Sequence, residues 1–338
     1  MIKQMMNQKT FSRLKTVFSL IHCLCCLCCL LFLNACDSGK RTCLSDQSTG
    51  PDPIPAESIS DISSDEVNGT YEAETEYIGS SELLGDTDMT EKNASADPYT
   101  QAVPGVHTLR NLLNTAVLPL GQTMYVWGGG WNEEDTGAGT EARSIGISPA
   151  WSEFASLQDA DYDYNKTRYQ IHDGLDCSGY VGWVIYNTME SEDDLDGYVY
   201  KSTSVAETLA DFGWGQCTKA TKKSDWLPGD IASIQGHVWI CLGSCSDGSV
   251  LLIHSSPPGV RICGTQLGNN KDTAAIRLAE KLMSRHYPAW YSRYPECGVS
   301  DSYLNVNGRL RWNEDTLPDC NTIQSMTAEE IADLLFHD

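Results

Sequence analysis

One cysteine sits where a nucleophile could be made. In GLDCSGYVGWVIYN, residues 174–187, Cys177 follows Asp176, precedes Ser178-Gly179 and opens an apolar run. A thiol in the first turn of a helix meets unpaired backbone N–H groups and the positive end of the helix dipole. Both favour the thiolate and lower the thiol pKa from its ordinary value of about 8.5. Such a nucleophile needs a base, and the base needs a partner to orient it. HVWICLGSCSDGSVLLIHSS, residues 237–256, supplies two imidazoles, His237 and His254, on apolar runs that flank a polar turn. That is the pattern of a β-hairpin. A turn centred between Cys245 and Ser246 sets His237 directly opposite His254, with β-carbons about 4.5–5.5 Å apart. A tight Asp247-Gly248 turn instead sets His254 opposite Cys241 and leaves His237 four residues away on that same face. His172 is a rival base by its closeness in sequence; His107, His286 and His337 read as surface or loop residues.

These side chains need elements to hold them. The apolar run 178–188 reads as a helix kept rigid in the core, with Gly179 permitting a tight start. Positions 106, 109, 112, 113, 116 and 117 form a helical stripe ended by Pro119 and Gly121. In MYVWGGG, residues 124–130, the aromatic start suits a strand, and three glycines let the backbone turn or approach another group closely. Ser204 and Glu207 have capping-box spacing ahead of Leu209 and Phe212, with Gly213 as the stop. Strands are expected over 230–264. Asp272 is placed to cap a helix ending at Pro288, and a short helix is expected over Thr327–Leu335. No internal repeat is found.

The amino terminus sets the compartment. Lys3, Lys9, Arg13 and Lys15 precede an uncharged run, residues 16–33, in the layout of an export signal. Leu33-Asn34-Ala35-Cys36 then resembles the lipobox of bacterial lipoproteins, which makes 1–35 a signal peptide and Cys36 the lipidation site. A plain transmembrane anchor is the alternative, since the run approaches the ~20 apolar residues that span a bilayer. Residues 37–98 hold 15 Asp or Glu against three Lys or Arg. Such a stretch cannot bury enough apolar surface to offset its ordering entropy, so 36–98 reads as an acidic, disordered tether. Residues 99–338 remain for one catalytic domain. The formal charge of −23 becomes −27 without the four leader cations, which argues against a nucleic-acid partner.

Five blocks in order, YVWGG from Tyr125, GLDCSG ending at Gly179, LPGD from Leu227, HVWICLG from His237 and LIH ending at His254, resemble the NlpC/P60 family of papain-like cysteine peptidases. The resemblance spans about 105–265. It implies an α+β fold in which a helix bearing the nucleophile packs on an antiparallel sheet bearing the histidines. It implies a bacterial endopeptidase that cuts peptidoglycan stem peptides between D-γ-glutamate and a diamino acid, without metal or cofactor; lipidation at Cys36 would set it on the outer side of the cytoplasmic membrane. Residue by residue it makes Cys177 the nucleophile, His237 the base and His254 the orienter. Tyr125, Asp176 and Ser178 become the candidate substrate contacts. An amidase or acyltransferase on the same fold, or a lipoprotein that binds wall peptides without cutting them, remain the alternatives.

The sequence departs from the family pattern in an insertion at about 131–172, either a substrate lid or a surface excursion packed down by its aromatics. It departs again at Trp239, where the family often has glycine and which would reshape the cleft floor. A C-terminal extension starts at about 266, and no wall-binding module is evident. Besides Cys36 and Cys177, seven cysteines follow the leader, at 43, 217, 241, 245, 263, 297 and 320. Seven cannot all pair within one chain, yet in an exported protein some disulfides are expected.

Overall fold

The computed structural model describes residues 101–219 and 225–337. The leader, Cys36, Cys43 and the tether lie outside them. The described chain is α+β: seven helices and one seven-stranded sheet, antiparallel but for one edge pair. In chain order the helices are α1 (Leu109–Val117), α2 (Pro149–Ser156), α3 (Cys177–Met189), α4 (Val205–Asp211), α5 (Ala274–His286), α6 (Pro288–Arg293) and α7 (Ala328–Phe336). The strands are β1 (Gly215–Thr218), β2 (Ile231–Ile234), β3 (His237–Ser244), β4 (Val250–Ser256), β5 (Gly259–Thr265), β6 (Gly298–Val299) and β7 (Gly308–Trp312).

The expected helices form, with boundaries set by local hydrogen bonds. α1 starts after Thr108, whose side chain accepts from the Asn111 N–H, because the Asn111 amide holds the Val103 and Val106 carbonyls in a preceding turn. Thr273, not Asp272, caps α5 through the Ile276 N–H, and Pro288, which ends α5, also begins α6. Thr327 and Glu330 make a complete capping box on α7. The box expected at α4 does not form, because Glu207 turns to Lys219 at 3.1 Å and the Ser204 hydroxyl donates to the Lys201 carbonyl.

α3 is buried along its length from Cys177 to Thr188, as a helix apolar on every side should be. Tyr180 donates to the Ala116 carbonyl of α1 at 2.8 Å, and Trp183 meets Trp151 of α2 edge-on at 5.7 Å. Such an aromatic pair is worth about 0.5–1.5 kcal/mol beyond burial alone. The opposite side of α3 lies on β3 and β4.

The sheet order is β1-β7-β2-β3-β4-β5-β6. Alternation divides its central strands between two cores. Val238, Ile240, Leu251, Ile253 and Ile262 face the helices; Trp239, Cys241, Leu252 and Cys263 face a second cluster with Trp226, Val299 and Leu304. The C-terminal extension is therefore built into the sheet: β7 lies between β1 and β2, and β6 closes the far edge. Arg311 of β7 grips the buried Asp230 carboxylate with two bonds of 3.0 and 2.8 Å.

Residues 124–130 are not a strand. Met124 makes isolated bridges to Gly174 and Gly259, and the glycines that follow turn the chain, with φ of +85° at Gly128 and +86° at Gly130. The turn brings this loop backbone-to-backbone against the start of α3: the Asp176 N–H donates to the Gly129 carbonyl at 3.0 Å, and a β-carbon at Gly179 would run into that same oxygen.

Candidate active site

Asp176 places Cys177. Its carboxylate accepts from the Gly179 N–H at 2.7 Å and the Ser178 hydroxyl at 2.9 Å, the arrangement of a helix cap, so Cys177 is the first residue of α3. The Ser255 hydroxyl donates to the Leu175 carbonyl at 2.6 Å, tying the segment before the cap to β4. Cys177 is 6% exposed and touches the backbone of Val238, the residue after His237.

The histidines meet through a register that neither sequence alternative contains. Ile240 pairs with Ile253 and Cys241 with Leu252. Continued outward, that register sets Trp239 opposite His254, so His237 and His254 are diagonal neighbours on one face. The pairing slips between Cys241 and Gly243. This bulge shifts the register between the turn and the site, and both turn-based readings lacked it. Diagonal neighbours are still within reach of ring side chains: His237 Nε2 and His254 Nδ1 are 2.8 Å apart, with the rings near perpendicular at 78°. If His237 serves as base through Nδ1, its Nε2 carries the proton and donates to His254.

The electrostatics depart from the local helix argument. Burial first, then the adjoining Asp176 carboxylate, push the Cys177 thiol up to about 12. The helix-start N–H groups act against this and do not prevail. Burial, seconded by the Arg261 guanidinium, lowers the half-buried His237 to about 4. His254, with no exposed surface, is held well below the ordinary imidazole range by burial and by His237. Near neutral pH the Cys177 thiol and the His237 imidazole are thus both uncharged. Burial raises Asp176 to about 6 against its cap hydrogen bonds.

Cys177 lines a cleft of about 240 Å³. Tyr125, Asp176 and Ser178 line it with Trp131 and Tyr169 of the insertion, and Lys201 is the only cation among the lining residues, set against Asp135 and Asp176. Ser178 also accepts from the Trp131 indole N–H at 3.1 Å. Burial, Cys177 and Asp176 together raise the Tyr125 phenol.

Other expectations resolve as follows. The insertion is packed down by Trp151, Phe154 and Tyr162, the last donating to the Tyr125 carbonyl at 2.7 Å, while Trp131 and Tyr169 form part of the cleft wall. Trp239 does not line the cleft; it is fully buried in the second core, on the same face of β3 as His237, and tilted by 35° against Trp226 at 4.6 Å. His172 is ion-paired with Glu141 and lines an adjoining cavity, not the one holding Cys177.

The described cysteines are all free thiols. Cys241 and Cys263 share a face, but β4 separates their strands by about two spacings, roughly 9.5 Å, beyond the ~7 Å Cα limit for a bridge.

One residue beside the site had no signal in the motifs. Tyr303, from a 3₁₀ turn of the extension, lies within 5.3 Å of the His237 ring and 5.8 Å of the His254 ring, centroid to centroid. No family model, curated protein or solved structure matched the chain.

Proposed function

We propose that this chain is a cysteine peptidase of the NlpC/P60 type that hydrolyses peptidoglycan stem peptides, at the bond between D-γ-glutamate and a diamino acid. The observation that carries the reading is that Cys177, at the start of a buried helix, packs on the backbone of Val238, next to His237, which hydrogen-bonds His254. Cys177 Sγ attacks the scissile carbonyl while His237 takes the thiol proton. The tetrahedral oxyanion draws on the Cys177 backbone N–H, unpaired because it opens a helix. Collapse of the intermediate breaks the C–N bond, and His237 returns its proton to the departing amine. Water, deprotonated by His237, then hydrolyses the thioester and restores the thiol.

The cleft supports this substrate class. Two carboxylates and one ammonium around the thiol suit a short peptide that carries both amino and carboxylate groups. Asp176 is the candidate partner for the substrate's amino end, with Tyr125 and Ser178 beside it. Lipidation at Cys36 would hold the enzyme on the outer face of the cytoplasmic membrane, within reach of the wall.

The raised thiol pKa favours a second reading, a lipoprotein that binds wall peptides without turnover. Mass spectrometry of muropeptides with diaminopimelate and lysine stems separates the two. Cleavage after D-γ-glutamate by the wild type, lost in Cys177→Ala, is the expected result. Binding without cleavage by the reduced, folded protein would reject the peptidase.

A further inference from the structure

Tyr303 belongs to the turn Asp301–Leu304, outside the 105–265 span that resembles a known family. Its ring is tilted by 59° to the His237 ring and 70° to the His254 ring, so one aromatic side chain lies against both partners of the 2.8 Å contact. It is anchored at both ends. The side chain hydrogen-bonds to Ser256, two residues beyond His254 and on the same face of β4. The backbone N–H donates to the Ser300 carbonyl at 3.2 Å, and the next residue, Leu304, is buried in the cluster that holds Trp239 and Leu252.

An imidazole turns about a soft torsion, and one hydrogen bond to His254 leaves the His237 ring free to flip or to trade that bond for water. We propose that Tyr303 is a positioning residue, whose anchored ring locks His237 with Nε2 on His254 and Nδ1 toward Cys177, and keeps water out of the histidine pair. The C-terminal extension thereby completes the site. The inference rests on the reading of His237 as the base for Cys177.

The groups facing His237 are His254 of β4, Arg261 of β5 and Tyr303 itself, which also feels Cys177 and Cys263. Burial and Arg261 disfavour the imidazolium. Opening the site to water relieves the first of these and raises the midpoint at which His237 titrates.

The test is long-range ¹H–¹⁵N spectroscopy of histidine-labelled full chain, which reads tautomer and titration directly, alongside kcat and KM on a stem peptide. Tyr303→Phe keeps the ring and is expected to preserve the His237 tautomer and midpoint. Tyr303→Leu is expected to mix the tautomers and move the midpoint toward ~6.5, the ordinary imidazole value. It should lower kcat about 10²-fold, the scale of a misplaced catalytic group, with little change in KM. A Tyr303→Leu spectrum and kcat identical to wild type would overturn the proposal. Should that variant melt below the assay temperature, Ser256→Ala removes the side-chain anchor and must move tautomer and midpoint the same way. If the wild type cuts no stem peptide, the peptidase reading fails while the spectra still decide the role of Tyr303.

Discussion

Replacing His254 separates two roles that a buried second histidine could have: holding His237, or relaying a proton. His254 has no exposed surface, and its Nδ1 is 2.8 Å from His237 Nε2. Alanine removes the acceptor and leaves the His237 N–H unpaired in a site closed by Tyr303. An unsatisfied buried donor costs about 1–3 kcal/mol, which corresponds to about 5- to 150-fold in kcat if the cost falls on the transition state. Asparagine behaves differently, because its Oδ1 branches from Cγ where the imidazole Nδ1 does. His254→Asn therefore puts a carbonyl acceptor at nearly the same point while abolishing any titration. The expected order of kcat on a stem peptide is wild type, then asparagine within about tenfold, then alanine. Melting temperatures of both variants control for the cavity that alanine leaves. Asparagine as inactive as alanine, in folded protein, would refute the orienting role and make His254 a proton carrier.

Three further outcomes follow from the charges around the thiol. Asp176→Asn keeps a helix cap but removes the second cause of the raised Cys177 pKa, so alkylation of Cys177, followed by peptide mapping at mildly alkaline pH, should accelerate; an unchanged or slower rate contradicts that cause. Catalysis should divide with pH: KM rises as Asp176 protonates below about 6, whereas kcat persists until His237 protonates near 4, so a kcat falling at the ordinary imidazole value of about 6.5 would count against the buried base. In thermal melts the two groups act oppositely. The contribution of His237 is complete above about 6.5 and lost as pH falls toward 4, while that of Asp176, favouring the protonated fold, is lost as pH rises through 6. Finally, Cys36→Ala should move the protein from membrane to soluble fractions with stem-peptide cleavage intact, and loss of activity in the soluble form would mean that the anchor does more than localise.

Much of the α+β frame was legible because its signals are local. The apolar run after Cys177 is long and uninterrupted enough to be a core helix, and Gly179 marks its tight start, although the capping role of Asp176 showed only in the structure. Thr327 and Glu330 form their capping box without outside help. The glycines at 128–130 announced a close approach, although not that Gly129 would meet Asp176 and Gly179. Where a side chain had a competing partner, local reading failed: Lys219 drew Glu207 away from the α4 cap.

The histidine pair shows where the division lies. Side chains alternate along a strand, so both turn placements considered for the hairpin put His237 and His254 on one face, and the sequence alone determined that much. Whether they stood directly opposite or diagonal depended on the bulge between Cys241 and Gly243, next to which a β-carbon at Gly243 would press on Ala328 of α7. Tertiary structure decided the rest. Tyr303 reaches the pair only because β6 and β7 carry the extension around the sheet, and no periodicity links it to residues so far away in sequence. The thiol pKa reversed direction for the same reason: a helix start is a local property that favours the thiolate, but desolvation depends on what the whole fold packs against the sulfur. At Cys177 burial is the larger effect.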